Sequence, residues 1–353
     1  MNITREMVRI WLQCLEANKE FHFKQALDGN YQPSDLGMLR KMFHDFVKEK
    51  LVKPCGRKDG WYKVIPKVEP VKWWEADEKK YYDLLFPCGR GDGGNQVSTF
   101  GFEQSIGVSP GDLIVMAGQS NSGKTTLALN FLAENLLKHS CVLMGNEYAT
   151  LDGRPSPKLK RRMLKMKWAS WQVDGKSKFD IIPVSDCYED YIVPDKINIL
   201  DWISTPEGMQ VWEIGWLIQK IKKAVGQGVA IICLQKNSAK EFGEGGEPTE
   251  RFADVYFKLD QISDDESRLR VGKVKEPLQK IMGKQFYFRI VDSGANIADI
   301  TEIFSCQNCR GRGRLGSDWK GWSPCEKCDA KGFIKKEQQT EYIEEAQEKA
   351  EME

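Results

Sequence analysis

Residues 111–129 read Gly111-Asp112-Leu113-Ile114-Val115-Met116-Ala117-Gly118-Gln119-Ser120-Asn121-Ser122-Gly123-Lys124-Thr125-Thr126-Leu127-Ala128-Leu129. The run Leu113–Ala117 has the length and uniform apolarity of a buried parallel strand. Residues 126–132 (Thr-Leu-Ala-Leu-Asn-Phe-Leu) read as a helix. Between them, Gly118 to Thr125 spell G-x-x-x-x-G-K-T, a phosphate-binding loop. Gly118 and Gly123 let the backbone bring its N–H groups close to phosphate oxygens, and the helix N-terminus adds partial positive charge. Gly118, Gln119, Ser120, Asn121, Ser122, Gly123, Lys124, Thr125 and Thr126 are therefore the expected nucleotide cradle. Lys124 would reach the β- and γ-phosphates of ATP, and the Thr125 hydroxyl would ligate Mg²⁺.

Outward from this stretch, strands alternate with helices, the pattern of a mostly parallel sheet. Further strands are predicted over 141–145, 181–184, 197–201, 229–234, 254–259, 269–274 and 285–291, with helices over 124–137, 156–167 and 209–225. The strand Ile197–Asp201 ends in a carboxylate. After a phosphate loop, such an aspartate sits beside the loop and orients Mg²⁺. The strand beginning at Cys141 leads to Glu147, placed to polarise an attacking water.

The order of these pieces, GDLIVMAGQSNSGKTTLALNFL, VLMGNE, INILDW and IICLQ, resembles the RecA/DnaB-like ATPases, the ring helicases and recombination filaments. The resemblance spans roughly residues 101–298. It implies a RecA-like α/β fold and Glu147 as the catalytic carboxylate. It also implies Gln235 as a sensor of the γ-phosphate, with 236–251 as a DNA-binding loop to which Lys236, Lys240 and Phe242 would contribute. Lys273 and Lys275 correspond to a lysine pair that reaches the γ-phosphate held by the adjacent subunit, so hydrolysis would require a homo-oligomer, a hexameric ring for a helicase. Residues 154–167 (RPSPKLKRRMLKMK) are more basic than the family's interface helix. They read as a second nucleic-acid contact, with Trp168 and Trp171 as stacking residues, or as a solvated face with those tryptophans in the core.

Ahead of the nucleotide region, residues 1–66 carry three helical patterns and a hairpin with a basic turn, which resembles a winged helix. Arg40, Lys41, Lys48, Arg57 and Lys58 would then contact phosphates, or the unit would dock protein. Residues 67–100 read as a linker and an aromatic helix, 101–303 as the ATPase domain, 304–334 as a metal module and 335–353 as an acidic tail. In the module, Cys306-x-x-Cys309 and Cys325-x-x-Cys328 lie fifteen residues apart, a structural Zn²⁺ spacing with no open coordination position. Its first knuckle resembles the CxxCxGxG unit of DnaJ-type modules; the second keeps only Gly332. Arg310, Arg312, Arg314, Trp319, Lys320 and Trp322 surround it.

The 353 residues carry 52 Lys and Arg against 51 Asp and Glu, so any nucleic-acid surface must be local. No apolar run reaches the length of a membrane span, and the start has no signal-peptide pattern. The expected setting is the cytosol of a bacterial or phage-infected cell. Three functions remain open: a DnaB-like helicase on single-stranded or forked DNA with replication-protein partners, a recombination or strand-binding filament, and a regulatory ATPase that gates partner binding.

Overall fold

The computed structural model describes residues 3–15, 19–27, 33–55, 59–65, 71–78, 80–149, 154–203, 210, 213–237, 240–317 and 321–338. The chain divides into two compact units, 1–78 and 79–353.

The larger unit is α/β, as the sequence predicts, and is built on one ten-stranded sheet. Six strands run parallel in the order Phe179–Ile182, Cys141–Met144, Ile197–Ile203, Val229–Gln235, Leu113–Gly118 and Val255–Gln261. Four antiparallel strands then extend it: Glu266–Val274, Gln285–Val291, Asn296–Ser305 and Phe333–Lys335. The parallel, helix-flanked part is the mostly parallel α/β sheet that the alternation of strands and helices predicted.

Period-two alternation explains how one apolar strand serves two cores. Ile114 and Met116 face a core with Leu127 and Phe131 of the helix Lys124–Asn135. Leu113, Val115 and Ala117 face another with Leu217, Ile218 and Ile221 of the helix Ile214–Ala224. Every residue of Leu113–Gly118 is buried. Connections leave this strand's neighbourhood toward both sides of the sheet, so a crevice opens at the carboxyl ends of the strands, beside the phosphate loop.

Three segments differ from their sequence reading. The aromatic helix expected after residue 67 is instead a single 3₁₀ turn, Trp73–Glu75, followed by extended chain. Tyr82, Leu84 and Phe86 point inward while Tyr81 and Asp83 stay exposed, an alternation of period two, and Tyr82 N–H donates to Val108 O at 2.7 Å. The Gly-rich stretch 88–96, within the region read as linker and aromatic helix, starts a hairpin of Cys88–Arg90 with Gln96–Thr99. The ten-residue strand Asn296–Ser305 had no sequence counterpart. Asp299 takes φ +55° and the register slips there, so the alternation that would announce a strand is broken.

The smaller unit packs the helices Arg5–Gln13 and Pro33–Lys48 on a three-stranded antiparallel sheet, Glu20–His22, Trp61–Val64 and Val52–Pro54. Val8, Phe21, Phe23, Leu39, Phe43 and Phe46 fill its core. The second predicted helix is a 3₁₀ turn, Phe23–Ala26, and the strand at Glu20 is an addition to the expected hairpin. Arg40, Lys41 and Lys48 are exposed, whereas Arg57, Lys58 and the linker 66–70 lie outside the described residues.

Candidate functional site: the phosphate loop and its carboxylates

The loop turns tightly enough to need its glycines. A Cβ on Gly118 would press on Ser122 Oγ and lie 2.8 Å from Leu259 Cβ. Gly123 caps the following helix at φ +91°, and Asn121 takes φ +62°. Ser122 Oγ donates to Gln119 O at 2.8 Å, and Thr126 Oγ1 donates to Gly294 O at 3.1 Å, which fixes both ends of the turn.

Lys124 is 8% exposed and donates to the carbonyls of Gly118 at 2.8 Å and Gln119 at 2.7 Å and to Gln235 Oε1 at 3.2 Å. Gln235 stands opposite Gly118 in the sheet, and its Nε2 donates to Ser120 Oγ at 3.1 Å. One amide thus touches both the lysine and the loop. Burial pushes the Lys124 pKa down, while Cys233, Asp201, Glu147 and Glu244 pull it up. Glu244, whose N–H donates to Gln235 O at 2.7 Å, had no signal in the sequence.

Asp201 is 3% exposed at the carboxyl end of its strand. Tyr148 donates its hydroxyl to Asp201 Oδ2, and burial, followed by the Asp201 charge, drives the tyrosine pKa well above its ordinary value. Asp201 Oδ1 is buried without a hydrogen-bond partner among the described residues. An acceptor left bare in this way suits a divalent cation, and the hard oxygens of Asp201 and Thr125 match the ligand chemistry of Mg²⁺. Tyr148 was missed by the sequence reading, for nothing marks a tyrosine beside a glutamate as the partner of an aspartate 53 positions away.

Glu147 is exposed, and Trp202 Nε1 donates to its Oε1 at 3.5 Å. It lines a cleft of 430 Å³ with Tyr148, Ser156, Leu159 and Arg162. A second cleft, also of 430 Å³, is lined by Gly123, Lys124, Thr125, Thr126 and again Arg162, with Ser293 and Gly294 on its far wall. Arg162 therefore borders the phosphate loop and the glutamate together.

The two lysines lie elsewhere. Lys273 stands opposite Tyr256, and Lys275 N–H donates to Asp254 O, which places both toward the amino-terminal edge of the parallel strands. Asp254 N–H donates to Leu113 O, five residues before Gly118, so Lys275 is about 16 Å from the level of the phosphate loop. Lys273 donates to the carbonyls of Glu250 at 2.9 Å and Arg251 at 2.8 Å, and Lys275 pairs with Asp254 at 3.2 Å. Neither reaches the phosphate loop of its own chain.

The stretch after Gln235 is largely folded. Gly243 N–H donates to Tyr256 OH at 3.0 Å, and residues Glu247–Phe252 form a short helix. Lys236 is 4% exposed and paired with Asp260. Phe242 is half-buried, with Lys258 Nζ 4.5 Å from its ring centre. Of the three residues read as DNA contacts, Lys240 alone stands exposed. Trp168 and Trp171 are partly buried against the core: their Nε1 atoms donate to Asn296 Oδ1 at 2.9 Å and Met163 O at 3.0 Å, and the Arg90 guanidinium lies 3.9 Å over the Trp168 ring.

The four cysteines converge. Their sulfurs lie within 4.8 Å of one another, all buried, with Cys306 and Cys325 at 3.9 Å and Cys309 and Cys328 at 3.7 Å. Tetrahedral zinc with Zn–S near 2.3 Å needs sulfurs about 3.8 Å apart. Gly313 N–H donates to Cys309 Sγ and Gly332 N–H to Cys328 Sγ, both at 3.2 Å, one backbone donor for each knuckle. A side chain on Gly313 would collide with Ala330 O. Arg312 and Arg314 lie 5.5 and 4.3 Å from the Trp322 ring, whereas Trp319 and Lys320 are outside the described residues.

No protein-family model and no curated protein matches the chain. Among solved structures, a RadB recombinase superposes with a TM-score of 0.39 at 18% identity, over 55% of this chain and 93% of that one. A KaiC-like protein from the hyperthermophilic archaeon Pyrococcus horikoshii OT3 superposes with a TM-score of 0.43 at 17% identity, over 62% of this chain and 98% of that one.

Proposed function

We propose that the chain is an oligomeric ATP hydrolase working on DNA, a ring-forming helicase of the DnaB-like type. The observation that carries hydrolysis is the meeting of Lys124, Gln235, Asp201 and Glu147 at the carboxyl ends of neighbouring strands. In this reading the loop amides and Lys124 hold the triphosphate, and Lys124 leaves the Gly118 and Gln119 carbonyls for phosphate oxygens. Thr125 and Asp201 would hold Mg²⁺, which when bound neutralises phosphate charge. Glu147 takes the proton of the attacking water. Gln235, bonded to Lys124 and Ser120, exchanges those bonds as the γ-phosphate comes and goes.

Distance from the loop supports a trans role for Lys273 and Lys275, since only a neighbouring copy would present them to the phosphates. The residues 1–66 would act as a winged helix that binds or docks, and the cysteines would hold structural Zn²⁺. A strand-binding filament is the second reading, favoured by the lysine–x–lysine spacing. Particle images with a non-hydrolysable ATP analogue separate ring from filament. A regulatory ATPase would show turnover indifferent to single-stranded DNA.

The decisive variant is Glu147→Gln. ATP affinity should be retained while turnover falls by about 10²- to 10⁴-fold. Unchanged turnover would remove Glu147 from the chemistry.

A further inference from the structure

The first turn of the helix Pro157–Lys165 runs against the usual electrostatics of helices, whereas Arg162 and Lys165 in the last turn meet the negative end of the dipole. Residues 154–169 hold seven of the chain's 52 cationic side chains and no acidic one, in a protein whose net charge is +1. Lys158, Arg161, Arg162 and Lys165 follow i, i+3, i+4 and i+7 spacing, so they form one face and repel one another. The first turn carries no acidic residue, and the Ser156 side chain makes no capping bond, so positive charge sits unrelieved at the positive end of the helix dipole. Four of these cations and Ser293 line a cleft of 270 Å³. Lys165 donates to Ser293 Oγ at 2.7 Å; Lys158, Arg161 and Arg162 have no ion pair or hydrogen bond among the described residues. A cluster of like charges in which Lys158, Arg161 and Arg162 find no ion pair among the described residues points outward, to a ligand.

We propose that this face binds the phosphate backbone of single-stranded nucleic acid. A run of one sign with no interspersed carboxylate complements a polymer of uniform negative charge, and guanidinium forks match phosphate oxygens. Trp168 and Trp171 are partly buried against the core with their Nε1 atoms bonded inward, so the face offers mainly charge and would bind irrespective of sequence. Arg162 and Ser293 also line the nucleotide cleft, so bound strand and bound nucleotide would share these two side chains. The proposal rests on the reading that the chain works on DNA, but its test needs no ATP.

The full chain is titrated with fluorescein-labelled oligo(dT) by anisotropy across a range of salt, as wild type and as K158Q/R161Q/K165Q, with Arg162 kept. The triple variant should bind about tenfold or more weakly, and the slope of log affinity against log salt should shrink by about 2, near 0.7 for each lost phosphate contact. The single variant R161Q should lose about 0.7 of the slope, and K158R/K165R, which keeps the charge, should bind as wild type does. Absence of binding by the wild type, or an unchanged slope in the triple variant, overturns the proposal. Tighter binding of poly-glutamate than of oligo(dT) overturns it in favour of an acidic protein partner. Loss of turnover in Glu147→Gln bears on hydrolysis alone, so the two readings fail separately.

Discussion

Asp201 is a buried carboxylate that accepts from the Tyr148 hydroxyl at Oδ2, with the Cys233 thiol also beside it. Removing that hydroxyl in Tyr148→Phe takes this donor from Oδ2 in the core, at a cost of about 1–3 kcal/mol in urea unfolding. Mg²⁺ with ATP should narrow the gap by giving the carboxylate a cation. A second acid behaves in the opposite sense. Burial raises the Asp112 pKa to about 6; Asp254 adds to the rise, while the N–H of Ser109, Lys222 and Lys275 oppose it. Because this folded-state value lies above the unfolded one near 3.9, the carboxyl stabilises the fold only while protonated, and that contribution disappears as pH rises through 6. Asp112→Asn, which keeps an acceptor for Ser109 N–H, should therefore raise stability at pH 7 and leave it unchanged below pH 4. Denaturant curves at the two values check the sign. At this scale the sequence was informative where one residue type has one use: Lys124 between Gly123 and Thr125 has few other readings. It was silent on Tyr148 and Glu244, whose roles depend on which strands become neighbours.

Among the elements, strands covered on both faces were the easiest to read, because Leu113–Ala117 and Val229–Leu234 have no polar residue to confuse the period. The helix Ile214–Ala224, inside the predicted range 209–225, buries Ile214, Leu217, Ile218 and Ile221, which fall at helical spacing. Misreadings followed from local disguise. Two tryptophans and two tyrosines made 71–86 look amphipathic at helical spacing, while the chain buries every second residue from Tyr82 to Phe86. The knuckles were legible because Cys-x-x-Cys is a short-range device, whereas their attachment was not: Phe333–Lys335 returns to pair with Asn296–Ser305. With Cys309→Ser, metal analysis should show loss of the bound zinc, and hydrogen exchange should quicken at Phe333–Lys335 before it does at Leu113–Gly118.

In the larger unit, the sheet sets two groups of charged residues at its two edges. The carboxyl edge carries Lys124, Asp201 and Glu147, and the amino edge carries Lys275. If the lysine serves a neighbour, Lys275→Ala should lower turnover by about 10²-fold at unchanged ATP affinity. Mixing it with Glu147→Gln should then restore part of the activity, since one copy supplies the carboxylate and the other the cation. Two inactive variants that stay inactive together would confine catalysis to a single chain. The strand Phe333–Lys335 carries a last implication. It is the tenth and outermost member of the sheet, and it reaches that place only after the chain has wound past the four cysteines. If the cysteines hold zinc, its removal would release this border strand and bare the unpaired N–H and C=O groups of Asn296–Ser305. A zinc ion held by the four cysteines would then guard against self-association: a chelator should turn a clear solution of zinc-loaded protein cloudy at concentrations where the untreated sample stays clear.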